Sequence, residues 1–165
     1  MDIEIRRING DEWRLWRSLR LRAVEESPDA FRSALAEESA EADESWRELI
    51  AQAAVDPRGL LLVAEVDLDP VGMMFGRIDE IGEILDVGAL WVDPEVRRRG
   101  IGRQLIESAL SWASGAGAGA AELWVTLGND VAERLFVSVG FEVTSDIEPL
   151  RAGSELSVVR MLRTL

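Results

Sequence analysis

The sequence contains no cysteine, no histidine and no tyrosine, and every basic residue in it is arginine. Without cysteine there are no disulfides, no thiolate zinc site and no sulfur nucleophile. Without histidine there is no Ser-His-Asp triad and no imidazole base. Without lysine no Schiff base can form. Acid–base chemistry is left to Asp and Glu, to backbone groups, to water or to the substrate itself. Long apolar runs are missing as well. Residues 1–6 lack the core of a signal peptide and nothing approaches membrane-spanning length, so a cytoplasmic location is expected.

What remains is the composition of an ordinary globular chain: 165 residues, 47% hydrophobic and 30% charged. That length suits one domain, residues 1–165, with a sizeable core. The formal net charge of −13 disfavours nucleic acid and anionic membranes as partners. It would suit a cationic, amine-bearing substrate, although solubility accounts for it equally well.

One stretch breaks the acidic pattern. Residues 90–105 read as the end of a buried strand, a turn at Asp93-Pro94, and a glycine-bearing loop that becomes a helix. Arg97, Arg98, Arg99 and Arg103 crowd the point where that helix begins. Cations at a helix N-terminus are unfavourable by roughly 0.3–1 kcal/mol each. The placement makes sense if an anion such as a phosphate or pyrophosphate sits there, held by free N–H groups of the first turn. Gly100 and Gly102 would then let the backbone approach closely. The alternative is a solvated basic loop that pairs with surface carboxylates.

Around this stretch the periodicities alternate. Ile3, Ile5 and Ile8 suggest a first strand, and Trp13, Trp16, Leu19, Leu21 and Val24 a helix that ends before Pro28. Residues 27–44 have weak periodicity, and a second helix over 44–54 carries Trp46, Leu49, Ile50 and Ala53 on one side. Strands are expected at 60–66, 71–78 and 84–92. A helix over 101–114 should place Ile101, Leu105, Ala109 and Trp112 inward. Residues 115–120 match a nominal G-x-G-x-x-A, but they follow a helix and enter a strand, the reverse of the dinucleotide fingerprint. A strand over 122–127 makes strand–helix–strand here a parallel crossover. Asn129 caps a helix over 130–139 that Gly140 ends in the left-handed conformation, and strands from 141 and over 156–162 close the sheet. The layout is α/β (α+β) with a mixed sheet.

Val92, Pro94, Arg97, Gly100 and Gly102 form V-x-P-x-x-R-x-x-G-x-G, which resembles the acetyl-coenzyme A signature of the GNAT superfamily of N-acetyltransferases. The segment from Asn129 through Ala132, Leu135 and Phe136 to Gly140-Phe141 resembles that superfamily's N-x-x-A-x-x-L-Y…G-F. The order of elements resembles the GNAT fold over nearly the whole chain. The resemblance implies a mostly antiparallel sheet of about seven strands with a central parallel pair and helices on both faces. It implies that acetyl-coenzyme A is the cosubstrate, with no metal, and that an acetyl group moves to a primary amine by direct attack. Cofactor contacts would come from Leu90, Trp91 and Val92, from Arg97, Arg98, Arg99, Gly100, Ile101, Gly102 and Arg103, and from Asn129, Ala132 and Phe136. Backbone N–H groups of residues 90–92 would polarise the thioester carbonyl.

Asp86 lies eleven residues before Arg97, a spacing at which several superfamily members carry a catalytic carboxylate, and Glu83 is the fallback base. Phe31, Trp46 and the loop over 148–155 would line the acceptor pocket. The acceptor would be a small-molecule or peptide amine, and homodimers are common among such proteins. One position departs from the pattern: Phe136 stands where the superfamily often has a tyrosine proposed to protonate the departing thiolate. That departure is the main support for the alternative, a catalytically silent module that binds acyl-coenzyme A.

Overall fold

The computed structural model describes residues 1–165. A seven-stranded sheet runs in the order β1 (Ile3–Arg7), β2 (Gly59–Val66), β3 (Asp69–Ile78), β4 (Ile84–Val92), β5 (Ala120–Thr126), β7 (Ser157–Thr164), β6 (Glu142–Pro149). All neighbours are antiparallel except β4 and β5, which are parallel and joined by the crossover helix α4 (Ile101–Gly115). On the other face lie α1 (Trp13–Glu26), the short α2 (Leu35–Ala40) and α3 (Asp43–Val55), while α5 (Asp130–Ser138) packs on the α4 side. No helix is long and apolar enough to cross a membrane.

β2 is apolar at almost every position because both of its faces are covered, and all eight of its residues are buried. Leu60, Leu62 and Ala64 join the core under α4, and Leu61 and Val63 join the core under α1 and α3. Ile101, Leu105, Ile106, Ala109, Leu110 and Ala113 form the buried stripe of α4, each large side chain stabilising by about 1.5–3 kcal/mol. Trp112, expected inward, is only partly buried at the stripe's edge, with the Arg7 guanidinium 5.6 Å from its ring centroid. Gly140 ends α5 with φ +95°, as expected.

The weakly periodic residues 27–44 contain a 3₁₀ turn and α2, which has no buried residue. The strand expected at 122–127 begins at Ala120 and ends at Thr126, and the loop expected from 148 begins after Pro149. Such differences of a residue or two reflect pairing partners rather than local pattern.

Candidate active site

Two departures from regular sheet geometry create the site. β4 and β5 pair only between residues 84–87 and 120–123. Beyond Val87 no ladder joins them, so residues 88–92 of β4 face an open wedge with backbone groups free on that edge. In the same stretch the register with β3 slips, from Phe75↔Gly88 to Met73↔Trp91, and Ala89 has φ +55°. This bulge changes the phase of the strand. Leu85 and Val87 point to the α4 core and Asp86 to the α1 side. After the bulge Trp91 joins the α1-side core, while Leu90 and Val92 pack toward α4. A left-handed alanine costs of order 1–2 kcal/mol, and such strain concentrates at functional sites.

β4 delivers the chain into a 3₁₀ turn, Pro94–Val96, where Asp93 Oδ1 accepts from Glu95 N at 2.9 Å. Arg98 (φ +66°) and Gly100 (φ +78°) then both adopt the left-handed region before α4 begins. The N–H groups of Arg98, Arg99, Gly100, Ile101, Gly102 and Arg103 have no acceptor within the protein. Residues alternating into the left-handed region at a helix N-terminus turn successive N–H groups into one concavity, a nest for an anion. Gly102 has a further reason to be glycine: a Cβ there would lie 3.3 Å from Leu135 Cδ2, so α4 and α5 approach closely at that point.

The arginine side chains divide between both readings of the basic loop. Arg97 turns away from the nest, donating from Nε to Val92 O (2.9 Å) and from Nη2 to Glu26 Oε2 (2.7 Å). Arg103 pairs with Glu107 at 2.9 Å, and Arg99 reaches the Met1 sulfur. Arg98 alone of the four has no protein partner. Glu26, the last residue of α1, was not legible as part of the site. Its carboxylate also accepts from Trp91 Nε1 at 2.9 Å. Desolvation would raise the Glu26 pKa, but hydrogen bonds from Ser27, Trp91 and Arg97 outweigh it and hold the carboxyl below its usual range. Arg22, one turn earlier, pairs with Asp93 and lies over the Trp91 ring. The C-terminal turn of α1 thus clamps the end of β4 and the start of the nest.

On the α1 side of the bulge lies a cavity of about 590 Å³. Its walls come from α1 (Trp16, Arg20), α2 (Glu38), α3 (Ser45, Trp46, Ile50), β2 (Leu61), β3 (Phe75) and β4 (Asp86, Gly88, Ala89). The Asp86 side chain is open to this cavity and has no hydrogen-bond or ion-pair partner. Arg77, opposite it on β3, is drawn off by Asp56 at 2.8 Å. Desolvation, then the charge of Glu122 alongside on β5, pushes the Asp86 pKa from 3.8 up to about 6, with Arg32 opposing. Glu122 itself is held by Arg160 at 2.6 Å.

The other expected residues are placed as follows. Trp46 lines the cavity. Phe31 does not; it is buried beside it, with the Arg20 guanidinium 4.6 Å from its ring centroid. Glu83 does not line the cavity either. It precedes β4 at the end far from the wedge, its side chain is exposed, and its backbone oxygen accepts from Gly119 and Ala120. Asn129 caps α5, accepting from Ala132 N at 3.3 Å. Phe136 is 7% exposed, its ring edge-on to Phe141 at 6.2 Å, in the core beneath α5. Of the cavity wall, Trp16, Arg20, Glu38, Ser45 and Phe75 had no sequence signal separating them from ordinary core or surface positions.

The chain resembles known proteins in the same terms. It is 30% identical over 142 residues to mycothiol acetyltransferase of Kocuria rhizophila, a match covering 81% of this chain and 43% of that protein. It is 39% identical over 93 residues to the peptidyl-lysine N-acetyltransferase YjaB of Salmonella typhimurium, covering 56% of this chain and 57% of that one. The chain therefore spans roughly half the length of these curated relatives. Its fold superposes on the structure of yncA from Salmonella typhimurium with its cofactor acetyl-CoA, with TM-score 0.81 and 17% identity, covering 100% of this chain and 95% of that one. The sequence profile of one family matches residues 20–141, which hold the bulged strand, the nest and the capped helix α5. With the split sheet and the glycine-bearing helix start both in place, the chain belongs to the acetyltransferase (GNAT) family.

Proposed function

We propose that this protein is an N-acetyltransferase, moving the acetyl group of acetyl-coenzyme A to a primary amine by direct attack. The observation that carries the reading is the run of unpartnered N–H groups from Arg98 to Arg103. In an acidic chain, such a cradle fits a diphosphate, and the cosubstrate's pyrophosphate is that group. Acetyl-coenzyme A supplies the activated acetyl group. The backbone of residues 98–103 binds its diphosphate, and Arg98 adds a free cation. The wedge beside residues 88–92 accommodates the pantetheine arm, and N–H groups on that edge orient and polarise the carbonyl.

Asp86 takes the proton from the acceptor's ammonium; the free amine attacks the thioester carbonyl, the C–N bond forms as the C–S bond breaks, and coenzyme A leaves as a thiolate that water protonates. A carboxylate with its pKa near 6 is ionised at neutral pH yet more basic than an ordinary aspartate. Cavity and wedge meet at the bulged residues Gly88 and Ala89, which holds the two reactants together. No covalent enzyme intermediate is expected, since the chain has no Cys or His.

The absence of tyrosine and the core position of Phe136 favour a second reading, a silent acyl-coenzyme A-binding module. Thiol release from acetyl-coenzyme A across a panel of amines separates the two. Turnover of any amine supports the enzyme, and tight cofactor binding without turnover of any supports the module.

A further inference from the structure

Asp86 sits between two charges that the sheet brings directly alongside it. Arg77 is opposite on β3 and Glu122 is beside it on β5. All three lie on the α1 side, since their strand neighbours Ile78, Leu85, Val87, Ala121 and Leu123 belong to the core under α4. Cβ atoms of such directly opposed pairs are about 4.5–5.5 Å apart, close enough for an arginine and an aspartate to bond. The register favours an Arg77–Asp86 pair, yet that pair is not made. Asp56, the C-cap of α3, takes Arg77 through Oδ2 at 2.8 Å, while its Oδ1 accepts from Arg58 N at 2.9 Å. Glu122 is covered by Arg160 of β7, whose Nε and Nη2 both lie 2.6 Å from Oε2. The other charges around Asp86 are Arg32, bound to Glu148 at 3.0 Å, Arg20, bound to Glu38 at 2.7 Å, and Glu41, exposed on the cavity wall.

Resting on the acetyltransferase reading, we propose that Asp56 and Arg160 are positioning residues of the reaction: acting through Arg77 and Glu122, they leave Asp86 unpaired and open to the acceptor's ammonium. Neither lines the cavity. Their effects have opposite sign. Released from Asp56, Arg77 pairs with Asp86 and favours its charged form, which weakens the base and occupies the oxygens that the ammonium would meet. Released from Arg160, Glu122 is an uncovered like charge beside Asp86 and favours its protonated form. The native arrangement holds Asp86 between these limits, basic enough to take a proton and still ionised at neutral pH.

The test follows the titration of the Asp86 carboxyl by carbon-13 NMR of the full chain. Beside it runs the pH–rate profile for acetyl-coenzyme A with the best acceptor of a panel that includes 2-phenylethylamine, spermidine and a lysine-containing peptide. Asp56→Asn retains an acceptor for Arg58 N and gives up the charge that holds Arg77. It should lower the Asp86 midpoint from about pH 6 to about pH 5 and raise the acceptor KM about threefold; adding Arg77→Met should reverse both. Arg160→Met should raise the midpoint to about pH 7, Arg160→Lys should undo most of that rise, and adding Glu122→Gln to Arg160→Met should bring the midpoint below the native one. Turnover with a midpoint that stays put in Asp56→Asn or Arg160→Met, or that moves the same way in both, overturns this inference and leaves the acetyltransferase reading standing. No turnover by the native chain across the panel removes both.

Discussion

Asp86 shows how a single side chain carries opposite consequences for stability and for chemistry. Its pKa is raised on folding, so the folded chain holds the proton more tightly than the unfolded one. Stability therefore falls as pH rises between about 4 and 6, and the ionised carboxylate is a net cost above that window. Asp86→Asn should raise the Tm at pH 7, with the gain vanishing below pH 4; a lower Tm at pH 7 would contradict the assigned environment. The same substitution should cut turnover by about 10²–10⁴-fold and remove an inflection near pH 6 that underlies the acceptor amine's own titration. A pH–rate profile that keeps this inflection would remove Asp86 as the base. Asp86 was singled out by its spacing from Arg97, which resembles the superfamily's, and by its place between Leu85 and Val87. Its neighbours were not, since Glu122, Arg77 and Arg32 reach it only through strand pairing and loop packing.

Among the elements, β4 decides the geometry. Its sequence is apolar at nearly every position, so no break in alternation betrays the bulge at Ala89, and the change of facing after it had to be seen in the register. The glycine-bearing start of α4 could be read because its chemistry is local. The fate of Arg97 could not, because its partner Glu26 is 71 residues away. The short α2 escaped notice for a different reason: with no buried residue it has no periodicity to read. The clamp from α1 gives a prediction at this scale. Glu26→Ala frees Arg97 and leaves the Trp91 N–H without its acceptor, so it should weaken coenzyme A binding about tenfold, roughly 1.4 kcal/mol. Titration calorimetry reads this directly, and unchanged affinity would show that the nest holds its shape without the clamp.

Across the whole molecule, two cores sandwich one sheet, and polar braces fix the layers to each other. Arg6 on β1 bonds Glu12 before α1 (2.8 Å) and Glu65 on β2 (2.9 Å). The hydrogen bond from Arg6 holds the Glu12 carboxyl below its usual pKa, against desolvation. This brace contributes stability above the ordinary carboxylate range, which is lost as pH falls through the depressed pKa. Arg6→Ala should destabilise by about 2 kcal/mol at pH 7, leaving Glu65 short of its partner, and by less near pH 4, as denaturant titration would show. The fold class was legible because the order of elements survives errors of a residue or two at their ends. The cavity was not, since its walls come from six elements whose meeting no local pattern records. The central claim is that the N–H groups of residues 98–103 grip a diphosphate, and calorimetric titration of coenzyme A into the protein and into Gly100→Glu tests it most directly. Gly100 has open space around it, so the added carboxylate meets no core atom; its φ of +78° strains any side chain by about 1–2 kcal/mol, a local cost in the loop that adds to the block of the nest. The account predicts saturable binding to the native chain and at least a hundredfold loss in a variant with an unchanged circular dichroism spectrum; no heat with the native chain, or equal affinity in both, would contradict it.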